Sequence, residues 1–335
     1  EIDDVVLFKL IAPMLEEKDG GERVGGTLYT NAAEHGVRAV QLLEGKRRTK
    51  EAMEMAKNVN DIPGMNDAQK LQLLASLARL NVSLGITSRE EYEKANAMLE
   101  QALSLSTNPK QKLDLMVIYC DLCHLGRDGK KMRTVAGKLK ASTDRAKTEG
   151  FSSLKKELQV KVLAWDGLAK LNLAKADYHD GQFDESIRQC REVFEEMGMG
   201  MGEIPLEMER VLLEAKRFFA TTIMVKENNT RNKYDGDTIW KQQPSTGENR
   251  NFEIAKNALI AVLKAYRSDK PLLRNPKDLI SAHEILAKLE IFTRGDRPEA
   301  LRWLKEGARE AVNYGEVDMV ANFERIIGDL YIAMA

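Results

Sequence analysis

Cys120-Asp-Leu-Cys123-His124 is the stretch of this chain whose residue types and spacing spell out a known chemistry. The C-x-x-C-H order attaches a c-type haem through two thioethers, with the histidine as an axial ligand, and the same donors could open a zinc site. The surroundings argue for a plainer role. The motif ends an apolar run, Leu113 to Leu125, in which Leu113, Val117 and Cys120 share one helical face, where a small thiol packs well. No third and fourth zinc ligand can be assigned, so the three residues are read as packing residues, with no cofactor and no metal expected. His35, His124, His179 and His283 have no Ser, Cys or carboxylate partner at a catalytic spacing. His179 is placed at a helix end, where a donor or cation suits the carboxyl-end dipole. Gly20-Gly21 and Gly25-Gly26 lack the Lys-Ser/Thr of a phosphate loop and any preceding strand. The expectation is a chain that is not an enzyme.

Charge is distributed less evenly than the net −1 suggests. From Arg127 to Lys156 ten Lys/Arg face three acids; from Asp184 to Glu209 eight acids face two arginines. Such runs are ordinarily solvated helix faces. The alternative is a positive patch, with Lys130, Lys131, Arg133, Lys138 and Lys140 at its centre, that meets nucleic acid or an acidic partner. Phe151 is the one aromatic in this stretch, too few to stack bases along a strand.

The elements that carry these residues read as helices throughout. Hydrophobic content of 43%, charged content of 31% and only 8 prolines fit a folded helical chain. No apolar run approaches the roughly 20 residues that span a bilayer. Three cysteines suit free thiols in a reducing compartment, so an intracellular, cytoplasmic location is expected, although the chain starts at Glu1 and a removed signal stays open. Apolar spacing of three and four predicts helices near 29–44, 47–59, 67–84, 89–105, 110–125, 129–146, 152–179, 184–197, 206–226, 252–267, 276–293, 297–313 and 316–334. Gly45, Gly85, Gly126 with Gly129, Gly181 and Gly295 fall between paired helices, where a left-handed backbone is wanted, and Asn66 and Asn275 read as helix caps. The domain organisation expected is 1–28 irregular with a short helix, 29–226 helical repeats, 227–251 a polar insertion anchored by Tyr234, Ile239 and Trp240, and 252–335 further repeats. The 152–179 helix, about 40 Å long, is expected to protrude in part or lie on a neighbour.

Leu171 to Phe194 is the most telling unit: two amphipathic helices hinged at Gly181, with Ala174, Ala176 and Ser186 where backbones approach and Leu171, Leu173, Tyr178, Phe183, Ile187 and Phe194 filling the gap. Ala174, Ala176, Gly181, Phe183, Asp184-Glu185, Ser186, Ile187 and Val193 stand at positions that resemble the tetratricopeptide repeat (TPR) superfamily. Tyr92-Glu-Lys-Ala95 with Leu99, Ala102-Leu103 and Pro109 is a partial match, as is Gly295 to Leu301 with Leu304 and Ala308. Several units exceed the usual 34-residue period, so the resemblance is to a degenerate, TPR-like array. It implies an all-α, right-handed solenoid of about six hairpins plus a C-terminal helix, with a concave groove that holds a partner peptide or helix.

On that reading the chain is a non-catalytic scaffold or adaptor for a protein partner, expected as a subunit of a larger complex, with nucleic-acid or acidic-partner binding through 127–156 as the alternative. Groove residues are sought on the inner faces of 110–125 and 152–179: Tyr119, Lys161, Asn172 and Lys175. Trp165 serves equally as core. The chaperone-tail clamp of some TPR proteins is not expected, because its Lys/Arg set is missing beside Asn81 and Asn172.

Overall fold

A computed structural model describes residues 25–46, 48–62, 65–198, 204–232, 250–268, 276–294 and 296–334. These residues are helical, without a strand among them. The helices are α1 (Gly25–Gly45), α2 (Thr49–Asn60), α3 (Asp67–Leu84), α4 (Arg89–Leu105), α5 (Pro109–Leu125), α6 (Gly129–Thr148), α7 (Lys156–His179), α8 (Phe183–Gly198), α9 (Leu206–Asn232), α10 (Arg250–Arg267), α11 (Pro276–Arg294), α12 (Arg297–Tyr314) and α13 (Val317–Met334). Paired in order, the described helices make six successive pairs and a final helix, an all-α helical repeat.

The chain divides into two compact units, Glu1–Ser142 and Thr143–Ala335, the boundary falling inside α6. In the first unit α3 packs on both α1 and α5, while α2 and α4 cover them from one side. In the second, α9 packs on both α7 and α11 in the same way, with α8, α10 and α12 as the covering helices. This difference in surroundings is written in the residues. The first helices α3, α5 and α7 carry buried side chains around much of their circumference: Ala164, Trp165, Asp166 and Gly167 of α7 are buried in succession. The second helices are amphipathic, with one covered stripe and one wet face.

Local chemistry sets the ends. The Asn66 side chain accepts from the Gln69 amide while the Gln69 side chain accepts from that of Asn66, a reciprocal capping box. Asn108, ahead of Pro109, caps α5 through the Lys110 amide at 2.9 Å. Gly181 takes φ +76° at the hinge between α7 and α8, as the sequence suggested, and Ala174, Ala176 and Ser186 beside it have no exposed surface. Edge-on contacts of Tyr178 with Phe183 and Phe218, at 5.6 and 5.4 Å between centroids, lock that hairpin onto α9.

Four readings need correction. Gly126 is not the left-handed residue of its turn: Arg127 is, at φ 54°, because a Cβ on Gly126 would sit 2.4 Å from the Tyr92 ring. The 152–179 helix starts later, at Lys156, after a 3₁₀ turn at Phe151–Ser153, and α7 leaves Lys156 and Glu157 exposed while its buried residues run from Val162 to Asp177. The 206–226 helix runs on to Asn232, taking the first residues of the expected insertion. Gly25-Gly26, expected in irregular chain, begin α1. Residues 1–24 of the expected irregular segment with its Gly20-Gly21, and Asn275, Gly295, Tyr234, Ile239 and Trp240, lie outside the described residues.

Two glycines on the last hairpin give opposite expectations for the same change. A Cβ on Gly307 would lie 2.6 Å from the Phe323 ring and 2.9 Å from Cβ of His283, so Gly307→Ala should destabilise by about 1–3 kcal/mol through overpacking. Gly328, exposed in mid-helix, has open space where a Cβ would go, so Gly328→Ala should stabilise by roughly 0.5–1 kcal/mol through helix propensity. Denaturant unfolding of the two variants measures both signs.

Candidate functional site

Across unit 2 the successive first helices are tied by charge. The Lys175 ammonium on α7 donates to the Glu214 carboxylate on α9 at 2.5 Å, and Arg217, one turn along α9, reaches Asp278 on α11 at 3.1 Å. Lys175 has only 5% of its side-chain surface open, whereas Glu214, Arg217 and Asp278 keep 31%, 26% and 23%. The result is a continuous, half-open polar row running over three stacked helices, pinned at one end by a buried ammonium. Burial pushes the Glu214 carboxyl up, yet the charge and hydrogen bond of Lys175, helped by Arg217, hold it below the usual carboxylate range. Tyr266 of α10 lies close enough for burial and the Asp278 charge to push its phenol well up.

The sequence-derived residues are distributed differently from one another. Lys175 stands in the row, and Lys161, earlier on α7, is half-buried. Asn172 is 1% exposed, with neither end of its carboxamide hydrogen-bonded. Tyr119 is buried in unit 1, where its hydroxyl lies 2.5 Å from Asn96 Oδ1 and 2.8 Å from Glu100, and where Lys131 from α6 donates to the same Asn96 oxygen at 2.7 Å. Burial, then Glu100, push the Tyr119 phenol up. Tyr119 and Asn172 therefore offer almost no surface to a second molecule in this conformation. Trp165 is a core residue.

The basic segment is partly engaged with its own chain. Lys131 pairs with Glu100 at 3.0 Å, and Lys147 pairs with buried Asp166 at 2.5 Å, an acid that also meets Thr143 and Lys170. Lys130, Arg133 and Lys138 are exposed and Lys140 is half-buried. The C-x-x-C-H motif lies inside α5: Cys120 and Cys123 have no exposed surface, and the Tyr92 hydroxyl approaches the Cys123 sulfur at 3.8 Å while bonding to Asp128 at 3.0 Å. Burial pushes the Cys123 thiol up to about 11. No group of three or more His, Cys, Asp or Glu among the described residues is arranged to hold a metal ion, and no helix there is long and apolar enough to cross a membrane.

Sequence reasoning passed over His283, which the fold places without exposed surface between α10, α11 and α12. Its Nδ1 lies 2.8 Å from the Leu279 carbonyl and so donates; its Nε2 accepts from Arg267 at 3.1 Å, and Arg267 also reaches Glu306 and Glu310. Those two contacts require a neutral ring. Burial lowers its pKa, the Leu279 bond opposes that, and the Arg267 charge lowers it again.

Comparison with known proteins leaves the chain without a family assignment. No protein-family model matches it, and no curated protein does. Among solved structures it is similar to a Rap protein complexed with competence and sporulation factor, at 11% identity over 98% of this chain and 82% of that one, with a TM-score of 0.44. It is similar also to a circular tandem repeat protein with novel repeat topology and enhanced subunit contact surfaces, at 16% identity over 99% and 84%, with a TM-score of 0.27. Likenesses of that size decide neither fold nor partner, and the fold rests on the helix order and packing described above.

A base whose folded pKa is lowered stabilises the fold above its ordinary value, near 6.5, and that contribution is lost as pH falls below it. Thermal unfolding at pH 8 and pH 5.5 should therefore show a larger loss for the wild-type chain than for His283→Gln, which cannot take up the proton. Equal losses would mean the ring is not held neutral.

Proposed function

We propose that this chain is a non-catalytic interaction scaffold which holds a partner peptide or helix against the first helices of unit 2, as a component of a larger assembly. The supporting observation is the Lys175–Glu214 and Arg217–Asp278 row. Its groups are fixed by pairing across three helices, so little side-chain freedom is lost on binding, yet enough of Glu214, Arg217 and Asp278 is open for a partner's charges to reach them. Lys161, half-buried and about 21 Å earlier on α7, is a further candidate contact outside the row. The partly open guanidinium of Arg217 suits reading a carboxylate on that partner.

Nucleic-acid binding through the 127–156 segment has less support. Lys131 and Lys147 turn toward their own carboxylates, and the remaining open cations carry no interleaved aromatic.

The test begins with affinity capture from the native cell, followed by binding measurements with the partner recovered. Arg217→Ala should weaken binding by about thirtyfold, the size of an arginine hot spot near 2 kcal/mol. Charge reversal at Lys130 and Lys138 should leave affinity within about twofold. Undiminished affinity in Arg217→Ala and Lys161→Ala, or tight salt-sensitive oligonucleotide binding lost on reversal at Lys130 and Lys138, would remove this assignment.

A further inference from the structure

Of the nine large apolar side chains exposed among the described residues, six lie at the end of unit 2: Val312, Tyr314, Val317, Tyr331, Ile332 and Met334. They form two groups about 20 Å apart along α13, Val312, Tyr314 and Val317 at its start and Tyr331, Ile332 and Met334 at its end, and grouped exposed apolar residues mark contact surfaces more than single ones do. Helix α13 organises them. Phe323, Ile326, Ile327 and Leu330 turn one face into the core of unit 2. Val317, Ala321, Glu324, Gly328 and Tyr331 recur at alternating four- and three-residue spacing and so line up on another face, with Ile332 beside them. All five are exposed, Val317 to 75% and Tyr331 to 48%.

The middle of this face is more specific than its apolar ends. Ala321 and Gly328 leave a shallow trough in which a second helix could approach closely. Nothing in the chain itself needs Gly328 to lack a side chain, because a Cβ there meets no atom within 4 Å, and the glycine weakens the helix. Between them Glu324 carries a carboxylate that makes no ion pair or hydrogen bond among the described residues, although Arg325 next to it is paired with Asp329 at 3.2 Å. The face therefore has apolar ends, of which Tyr331 is already met by Lys305 of α12 at 2.8 Å, and an exposed, unpaired acid at its centre that a cation on a covering helix would complement.

We propose that this face of α13 docks an amphipathic helix of a partner protein, its apolar stripe crossing Ala321 and Gly328 and its central lysine or arginine meeting Glu324. A second copy of the chain fits poorly. Two-fold pairing of a stripe whose midpoint is Glu324 sets that carboxylate against its own copy inside an apolar contact, which like-charge repulsion disfavours. The surface is separate from the polar row on α7, α9 and α11, and the inference does not rest on that row.

The probe is a set of stapled amphipathic helical peptides, identical except for a central Lys, Leu or Glu, titrated against the full chain by fluorescence anisotropy. The Lys peptide should bind about tenfold tighter than the Glu peptide, and Glu324→Lys should reverse the order. Gly328→Leu should abolish binding by filling the trough, while Gly328→Ala, which retains the fold, should weaken it less. Absence of binding by every peptide, or an order unchanged by Glu324→Lys, would overturn the proposal. Self-association in sedimentation that Gly328→Leu removes would overturn it too, in favour of a second copy.

Discussion

A first helix in this chain has to be covered on several sides at once, and the rest of the structure follows from that constraint. An isolated hairpin buries one stripe of each of its helices. When α9 packs directly on α7 and on α11, those helices lose water from most of their circumference and can no longer be amphipathic. Charged groups caught between them must then pair. Lys175 does so with Glu214, and in unit 1 Arg79 of α3 does so with Glu44 of α1 at 2.5 Å. Removing one partner leaves a desolvated charge and costs far more than the pair itself contributes. That cost falls most heavily on Lys175, 5% exposed, and less on Arg79, which keeps 41% of its side chain open. Because the pairs lie at the open edge of the stack, they also give the face its polar character.

The architecture was legible because each repeat is punctuated locally. Asn66 and Asn108 cap through their own side chains, Gly181 turns left-handed, and the second helices keep a period of three to four that no tertiary context overrides. The places where the sequence misled are those where a distant residue decides. Gly126 was assigned a conformational role, but the Tyr92 ring, more than thirty positions earlier, claims its missing Cβ, and the left-handed turn passes to Arg127. The break near Gly150, at φ 127°, falls where the spacing predicts one, but the 3₁₀ turn at Phe151–Ser153 delays α7 to Lys156, four residues past the expected start.

The candidate site was harder to see for the same reason. A helical wheel orders side chains around an axis without saying which neighbour covers which sector. Tyr119, Asn172 and Lys175 all occupy sectors that other helices close, and Lys175 meets the open surface only through the carboxylate it pairs with. Its partner Glu214 is 39 positions away and Arg217 meets Asp278 across 61, so neither pair leaves a signature in local spacing. The same holds for Lys131, read as part of a basic patch but directed onto Asn96 and Glu100. A charge run describes composition along the chain, and only packing reveals which of those charges remain available to another molecule.

A double-mutant cycle between Lys175 and Glu214, read by denaturant unfolding, tests the central claim most directly. If α7 and α9 stack as neighbours joined through this half-buried pair, Lys175→Met and Glu214→Gln should couple by at least about 1 kcal/mol. Strict additivity of the two changes would contradict the direct succession of first helices on which this account stands.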